Sequence, residues 1–304
     1  MRFLASYVTT GRWQAVLVTA VTALLTPLLP FLSLFSGGVV SLITLKVGPL
    51  QALQLMGLAM LAVMLLSVFL PSGAVLGLVI LVMVWLPVWG LSVNLRRNAD
   101  QGRSVLLASL FGAMLVVVFH LSLDSPGQWW EPFLLEYFAP VMEQLDQAER
   151  AQFAQSLGQI ATVLTGLIAT ALAVSLLLSL MLGRWWQAML VNPGGFGEEF
   201  RDLKIGRTPS LAILLLVTVA FLSGVEGLGQ DLFMVAMLPL LLQGTALIHA
   251  LVKQSGASRG WLLGMYLLLV LAGPVALLLA VAGALDNWFD FRAYASPKGG
   301  AGDS

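Results

Sequence analysis

Residues 157–182, LGQIATVLTGLIATALAVSLLLSLML, carry no charged side chain. A helix needs about 20 apolar residues to cross a bilayer core that is roughly 30 Å thick, so this stretch predicts a transmembrane helix. Further apolar segments are predicted at 14–35, 38–47, 49–70, 73–93, 104–123, 209–226, 231–252 and 260–285. We therefore expect an all-α fold, a polytopic integral membrane protein with about eight to nine transmembrane helices.

The loops between these segments divide the basic residues unequally. Of the 15 Lys and Arg residues, 12 lie in a set of alternate loops. This set comprises 1–13, 45–48, 94–104, 183–208 and 253–260. Because cytoplasmic loops carry an excess of Lys and Arg, the pattern predicts a cytoplasmic N-terminus and a multi-pass protein of the bacterial inner (cytoplasmic) membrane.

The composition agrees with a membrane protein and argues against several functions. Apolar residues make up 59% of the chain and charged residues 10%, and the net charge is zero, so we expect no nucleic-acid partner. With no cysteine and only two histidines, thiol chemistry and a histidine-rich metal site are not expected. The chain also has no recognisable catalytic motif, which predicts a protein that is not an enzyme and needs no cofactor or metal.

The second apolar segment, 38–47, is too short for an ordinary span. Ten residues of helix reach only about 15 Å of a core roughly 30 Å thick. The segment either begins earlier, after Pro30, or is a broken or re-entrant element. In the segment before it, small residues recur four apart and share one helical face, which is suited to a contact within this chain or to docking of a separate membrane subunit. These residues are Ala15, Thr19 and Ala23.

Polar segments divide the chain into parts. The membrane helices 1–123 are followed by an outer acidic segment, 124–156, in which an amphipathic helix is expected to form a lid or to pack at the membrane interface. The C-terminal membrane helices, 157–292, include the cytoplasmic segment 183–208, where Asn192, Gly194 and Gly195 belong to a predicted turn before a short helix. The tail 293–304 is predicted to be disordered.

Polar residues inside the apolar segments are the candidate ligand-binding residues, because they are costly in lipid without a partner. Gln243, Thr245 and His249 in segment 231–252 fit either solute binding or interhelical hydrogen bonds. Trp85 and Trp89 share a helical face, where they can stack on a planar ligand or pack against neighbours.

For charged groups near the segment ends, the local spacing indicates which residues are candidate partners. His120 precedes Asp124 by one helical turn, so a His–Asp pair is one alternative there, and Glu226 and Asp231 are expected in a solvated turn with a cation site as the alternative. At the C-terminal end, Asp286, Trp288, Asp290 and Arg292 form a motif in which a continuing helix would present both carboxylates on one side.

Three motifs resemble the YybS-like family of predicted bacterial membrane proteins. They are LDNWFDFR at 285–292, LQG at 242–244 followed by His249, and WWQAMLVNPGGF at 185–196. The family has no established activity, and it is grouped with substrate-binding S components of energy-coupling-factor transporters. The resemblance implies an S-component-like part within 1–123 and supplies no ligand residues.

The favoured function is binding, and possible translocation, of a small organic solute. The alternative is a non-transporting scaffold or assembly protein that acts through its cytoplasmic segment and tail. A lipid-modifying enzyme is disfavoured because no catalytic cluster is present.

Overall fold

The structure is a computed structural model that describes residues 1–66 and 73–295. These residues form helices without any strand. The helices are α1 Arg2–Thr10, α2 Arg12–Leu24, α3 Leu32–Lys46, α4 Pro49–Leu66, α5 Gly73–Ile80, α6 Leu86–Asn98, α7 Gln101–Ser122, α8 Pro126–Tyr137, α9 Ala139–Met142, α10 Gln147–Val191, α11 Gly195–Arg201, α12 Arg207–Leu222, α13 Leu228–Gln254, α14 Gly260–Leu271, α15 Gly273–Phe289 and α16 Phe291–Ala295. A π-helical turn, Leu81–Trp85, joins α5 to α6.

Among the described residues, five helical segments are long and apolar enough to cross a membrane, which fits contact with a lipid bilayer. They are Pro49–Leu66, Gly77–Asn98, Gln101–Ser122, Gln147–Val191 and Leu228–Gln254. The shorter apolar helices are Leu32–Lys46, Arg207–Leu222, Gly260–Leu271 and Gly273–Phe289. Many large apolar side chains on these helices are exposed, as lipid-facing side chains would be.

Helix α3 lies at the centre of the N-terminal half and is buried on every side from Ser36 to Leu45. Its longest contact is with α10, where Gly37 faces Ser179 and Ser41 faces Gly183. A side chain at Gly183 would overlap Ser41, so the two backbones approach closely only because these residues are small. The second apolar segment therefore begins before residue 38, after Pro30. This is one of the two alternatives predicted from the sequence.

The predicted single span 14–35 is wrong, because α2 ends at Leu24 and the chain turns before α3. Pro27 and Pro30 lie in this turn, and proline has no N–H with which to continue a helical ladder. Lys46 Nζ donates to Thr9 Oγ1 at 3.2 Å, so α2 starts beside the end of α3. Ala15, Thr19 and Ala23 are buried within the chain, where α2 packs against α3 and α4.

Two further segments differ from the predicted continuous helices. The segment 260–285 breaks at Ala272, whose backbone is extended, directly before Gly273 and Pro274. The expected amphipathic helix in 124–156 is broken at Phe138, before Pro140 in the first turn of α9, and α8 packs along α10. Part of the expected disordered tail is helical, since α16 reaches Ala295; residues 296–304 lie outside the described residues.

The loops 45–48, 94–104 and 183–208 lie together at one end of the bundle, called here the basic end. Arg96 Nη1 donates to the carbonyls of Thr44 and Leu45, at 2.8 and 2.9 Å, which ties α6 to the end of α3. Glu199 of α11 pairs with Arg184 and accepts a hydrogen bond from Gln101, the first residue of α7. The opposite end is the one where α7 ends and α13 begins.

Candidate functional site

A buried polar network joins α13, α15 and the segment between α11 and α12. Gln243 is fully buried, and its Nε2 donates to Asp286 Oδ2 at 3.3 Å and to Asn287 Oδ1 at 3.1 Å. Its Oε1 accepts a hydrogen bond from the Ile205 N–H at 2.9 Å. The Gly206 N–H donates to Asn287 Oδ1 at 3.1 Å. The Gln243 amide is thus bonded at both ends by protein groups.

Two glycines allow this network to form. A Cβ atom at Gly244 would overlap the Leu279 carbonyl oxygen, and one at Gly283 would overlap the Leu240 carbonyl oxygen. Without side chains at both positions, α13 and α15 approach closely enough for Gln243 to reach Asp286. The Leu-Gln-Gly sequence therefore has a local explanation, in which Gly244 brings the helices together and Gln243 bonds across them.

Arg292 completes the network from the C-terminal side. Its Nη1 donates to the Arg201 carbonyl at 2.7 Å and its Nη2 to the Leu203 carbonyl at 2.9 Å. Nη2 also lies 3.2 Å from Asp286 Oδ2, and both side chains are nearly buried. Burial lowers the pKa of the Arg292 guanidinium and the Asp286 carboxylate opposes that shift. Arg292 thereby holds the segment after α11 against α15.

Asp290 does not share a helical side with Asp286, contrary to the prediction. Helix α15 ends at Phe289, and Asp290 has a positive φ of 44°, which turns the chain away. Its carboxylate accepts a hydrogen bond from Lys204 Nζ at 2.7 Å, and this bond lowers the pKa of Asp290. The pair is largely exposed. Trp288 lies in the last turn of α15 and is partly buried.

His249 and Thr245 do not join Gln243. His249 Nε2 lies 2.9 Å from the Tyr266 hydroxyl of α14, and the imidazole meets the Phe200 ring edge-on at 5.3 Å. Thr245 Oγ1 donates to the Leu242 carbonyl of its own helix at 2.8 Å. The three candidate residues of segment 231–252 thus have three separate sets of contacts.

Trp85 and Trp89 pack between helices. Trp85 is fully buried, and its indole N–H donates to Ser36 Oγ at 3.2 Å. Trp89 donates in the same way to the Pro49 carbonyl at 3.0 Å. The Trp85 N–H therefore connects the π-helical turn with α3, and the Trp89 N–H connects α6 with α4.

The predicted turn before α11 is present at the basic end. Gly194 has a φ of 97°, which favours glycine, and the Gly195 N–H donates to the Asn192 carbonyl at 3.1 Å. Next to this turn lies a cavity of about 530 Å³ whose polar lining includes Arg96, Arg184 and Asn192.

A second buried charged contact lies at the opposite end. His120 Nε2 is 2.9 Å from Asp231 Oδ2, and the two side chains are 5% and 1% exposed. The predicted pairing of His120 with Asp124 is wrong, because α7 ends at Ser122 and the backbone becomes extended at Leu123. The predicted solvated turn is also wrong for Asp231, which lies in the first turn of α13 and is buried.

Neighbouring residues link this His–Asp pair to α8 and α10. The Phe119 ring stacks on Trp130, with centroids 5.8 Å apart and an angle of 2° between the rings. The Trp130 indole N–H donates to Thr165 Oγ1 at 2.9 Å. The next residue, Gly166, lies so close that a Cβ atom there would be 2.6 Å from the Asp231 Cα. Four helices therefore meet in one ring of contacts.

A mostly apolar cavity of about 290 Å³ lies between α7, α12 and α13. Its lining includes Ser109, Ala113, Ile213, Ala236 and Pro239. Within the described part of the chain, the buried Ser109 Oγ has no hydrogen-bond partner. Pro239 has no N–H for the Val235 carbonyl one turn earlier. Ser109 therefore supplies a polar side-chain atom in an otherwise apolar lining.

Comparison of the chain with known protein families, with curated proteins and with solved structures finds no match. The similarity to YybS-like proteins therefore stays a prediction from the three motifs.

Sequence reasoning missed the His120–Asp231 pair and the Ser109 cavity. The two charged residues are 111 positions apart, and each had a nearer charged residue as an apparent partner. One signal was available, namely that Asp231 begins a long apolar segment without an adjacent basic residue.

Proposed function

We propose that this chain is a multi-pass protein of the bacterial inner membrane, with eight to nine spans, that binds and translocates a small organic solute. The observation that carries the proposal is the Ser109 cavity, which lies beside Pro239 in the long helix α13. Solute sites of transporters commonly lie near the membrane midplane, where helices are broken and backbone carbonyls are left without their helical donors. Helix α13 is continuous, but Pro239 near its middle lacks the N–H that would bond to a carbonyl one turn earlier.

The position of the cavity between two buried polar contacts supports the same function. Along α13, Asp231 precedes Pro239 and Gln243 follows it. The His120–Asp231 pair connects α13 to α7 on one side of the cavity. On the other side, Gln243 connects α13 to α15 and to the segment after α11. A transporter needs a closure on each side of its site, and these contacts are candidates for both.

The lining of the cavity restricts the solute. The volume of about 290 Å³ is at the lower end of the range for ligand pockets, roughly 300–1,000 Å³. The side chains of its wall are apolar apart from the Ser109 hydroxyl. The expected solute is therefore small and mostly apolar, with one group that donates or accepts a hydrogen bond.

A thermal-shift screen of the purified protein in detergent tests this proposal. A ligand at 100 times its dissociation constant adds about 2.7 kcal/mol to the free energy of unfolding, which is readily measured. The panel contains vitamins, nucleobases, amino acids and other small organic solutes. The expected result is a saturable stabilisation by one chemical class.

Two substitutions on α7 provide the matched control for a hit. Ala113→Leu fills the cavity and is expected to abolish the stabilisation by the ligand. Val118→Leu adds bulk on the exposed face of the same helix and is expected to leave it intact. Equal ligand responses of the two variants would mean that the solute binds elsewhere.

A scaffold protein is the second candidate function, and the Arg292 network favours it. Arg292, Asp286 and Gln243 hold the segment 201–206 rigidly against the helices, as a docking surface at the basic end would require. The scaffold would be favoured by two results together. No solute in the panel stabilises the folded protein, and a stably copurifying protein is lost on Arg292→Ala.

A further inference from the structure

We propose that the His120–Asp231 pair is a proton-binding site, and that uptake of one proton by Asp231 opens the end of the bundle where α7 ends and α13 begins. The inference deepens the proposed function, because it names the coupling ion of the closure on that side of the cavity. It rests on the placement of the pair, on its isolation from other charges and on the ring of contacts around it.

The pair is buried among helices that are otherwise apolar. A buried charge is tolerated when a close partner compensates it, and His120 and Asp231 have each other at 2.9 Å. Histidine and aspartate exchange protons with water in an accessible pH range, unlike the amide groups of Gln243 and Asn287. An ionisable pair at this depth is therefore suited to binding a proton.

The charged residues of the described elements around the pair do not bond to it. The elements around it contribute Asp124 after α7, Glu131 on α8 and Glu226 before α13, while the adjacent part of α10 contributes Thr162 and Thr165. Among the described residues, none of these carboxylates forms a hydrogen bond or an ion pair with His120 or Asp231. The charge of each member is therefore compensated by the other.

Protonation changes this balance in a defined way. In the closed state, an imidazolium on His120 faces a carboxylate on Asp231. When Asp231 takes one proton from water, its carboxylate becomes a neutral carboxylic acid, and the imidazolium is left buried without a counter-charge. Oδ2 of Asp231 faces His120, and Oδ1 lies against Gly166. The unpaired cation then favours an open, hydrated arrangement.

The aromatic contacts transmit this change to α8. His120 follows Phe119, which stacks on Trp130, and Trp130 donates to Thr165. Gly166, the neighbour of Thr165, packs on Asp231. Separation of α7 from α13 therefore loosens α8 from α10 and exposes Thr165, which is buried in the closed state.

Histidine-selective ¹⁵N NMR in nanodiscs tests proton binding directly. The chain has only two histidines, so the spectrum contains two imidazoles, and His249→Gln assigns them. We expect the His120 titration to include a step that disappears in Asp231→Asn, a variant that still accepts the hydrogen bond from the imidazole. Identical His120 titrations in the two proteins would overturn the proposal.

Cysteine labelling tests the opening. The natural chain has no cysteine, so Thr165→Cys is a unique reporter for an impermeant thiol reagent, and the exposed Thr162→Cys on the same helix corrects for the pH dependence of the thiol. We expect the ratio of the two labelling rates to rise about tenfold between about pH 7.5 and about pH 5.5, and to be constant in the His120→Gln background, which has no imidazolium to leave unpaired. A ratio that does not change with pH in the natural background would overturn the proposal.

The labelling result can be distinguished from misfolding of a variant and from loss of solute binding. His120→Gln keeps a donor for Asp231, and a Thr162→Cys labelling rate equal to that of the natural background shows that this variant folds normally. Neither measurement requires a bound solute. Loss of the proposed solute site would show in the thermal-shift screen alone, whereas loss of the proton site would show in the titration and in the labelling ratio.

Discussion

The contacts on the two sides of the Ser109 cavity are built from different chemistry. On the side of the basic end, Gln243 and Asn287 bond through amide groups, and Arg292 bonds to two carbonyls as well as to Asp286. At the opposite end, His120 and Asp231 depend on one contact between two groups that readily exchange protons. We therefore expect the first network to keep its bonds over a wide pH range, whereas the His120–Asp231 contact is expected to change with pH.

The largest expected effect is at the helix crossing that supports the Gln243 network. Gly244→Ala places a methyl group onto the Leu279 carbonyl oxygen, which α15 can avoid only by moving away. We expect the free energy of unfolding to fall by roughly 3 kcal/mol, measured by reversible denaturation in detergent. Gly57→Ala on α4 has open space around the new methyl group and is the control. A Gly244→Ala protein as stable as this control would refute the close crossing.

Removal of the Asp286 charge is expected to have the next largest effect. Asp286→Asn keeps the size of the side chain but leaves the nearly buried Arg292 guanidinium without its carboxylate. We expect the free energy of unfolding to fall by about 2 kcal/mol. This is less than for a fully isolated buried pair, because Arg292 keeps its bonds to the Arg201 and Leu203 carbonyls. Hydrogen exchange of segment 201–206 is expected to accelerate. Unchanged exchange there would show that the ion pair does not hold the segment.

A smaller effect is expected at the ring of contacts near His120. Trp130→Phe keeps an aromatic ring against Phe119 but removes the N–H that bonds to Thr165. Loss of one hydrogen bond is expected to lower the free energy of unfolding by about 1 kcal/mol. Thermal unfolding measures this loss, and the Thr165→Cys reporter is expected to become more reactive at neutral pH. A Trp129→Phe variant is the control, and a larger loss for it than for Trp130→Phe would contradict this assignment.

The smallest effect is expected at the exposed Lys204–Asp290 pair. The Lys204 hydrogen bond lowers the pKa of Asp290, so its contribution is present above the pKa of the unfolded state and is lost as pH falls through the lower folded value. Water screens this pair, and Asn tolerates the positive φ at this position. Asp290→Asn is therefore expected to leave the melting temperature unchanged within error at neutral and acidic pH. A clear loss that appears only at neutral pH would mean that the pair is less screened than its exposure indicates.

Much of the architecture follows from local sequence properties. Apolar length predicted the helices around 104–123 and 231–252, and the shortness of segment 38–47 left two alternatives, of which the helix that begins after Pro30 is present. The breaks at Leu25–Phe31 and at Ala272 were not predicted. Both lie in apolar stretches where a proline was present, but hydropathy does not distinguish a kinked span from two short helices.

The functional residues were only partly predictable, because their partners are distant in sequence. Gln243 and Asp286 were both singled out, yet their contact depends on Gly244 and Gly283, whose role is visible only when α13 and α15 are packed together. His120 and Asp231 were assigned to nearer charged residues, since local spacing carries no information about a contact between α7 and α13. The cavity at Ser109 depends on three helices and has no signature in any one of them.

Accessibility of the cavity from the two sides of the membrane tests the central claim most directly. Ser109→Cys provides a single thiol in a chain that has no natural cysteine, and impermeant reagents can be applied to right-side-out and to inverted membrane vesicles. A solute translocator is expected to be labelled from both sides, with both reactions slowed by the solute found in the thermal-shift screen. A thiol that reacts from neither side, or at a rate that no bound solute changes, would contradict the account.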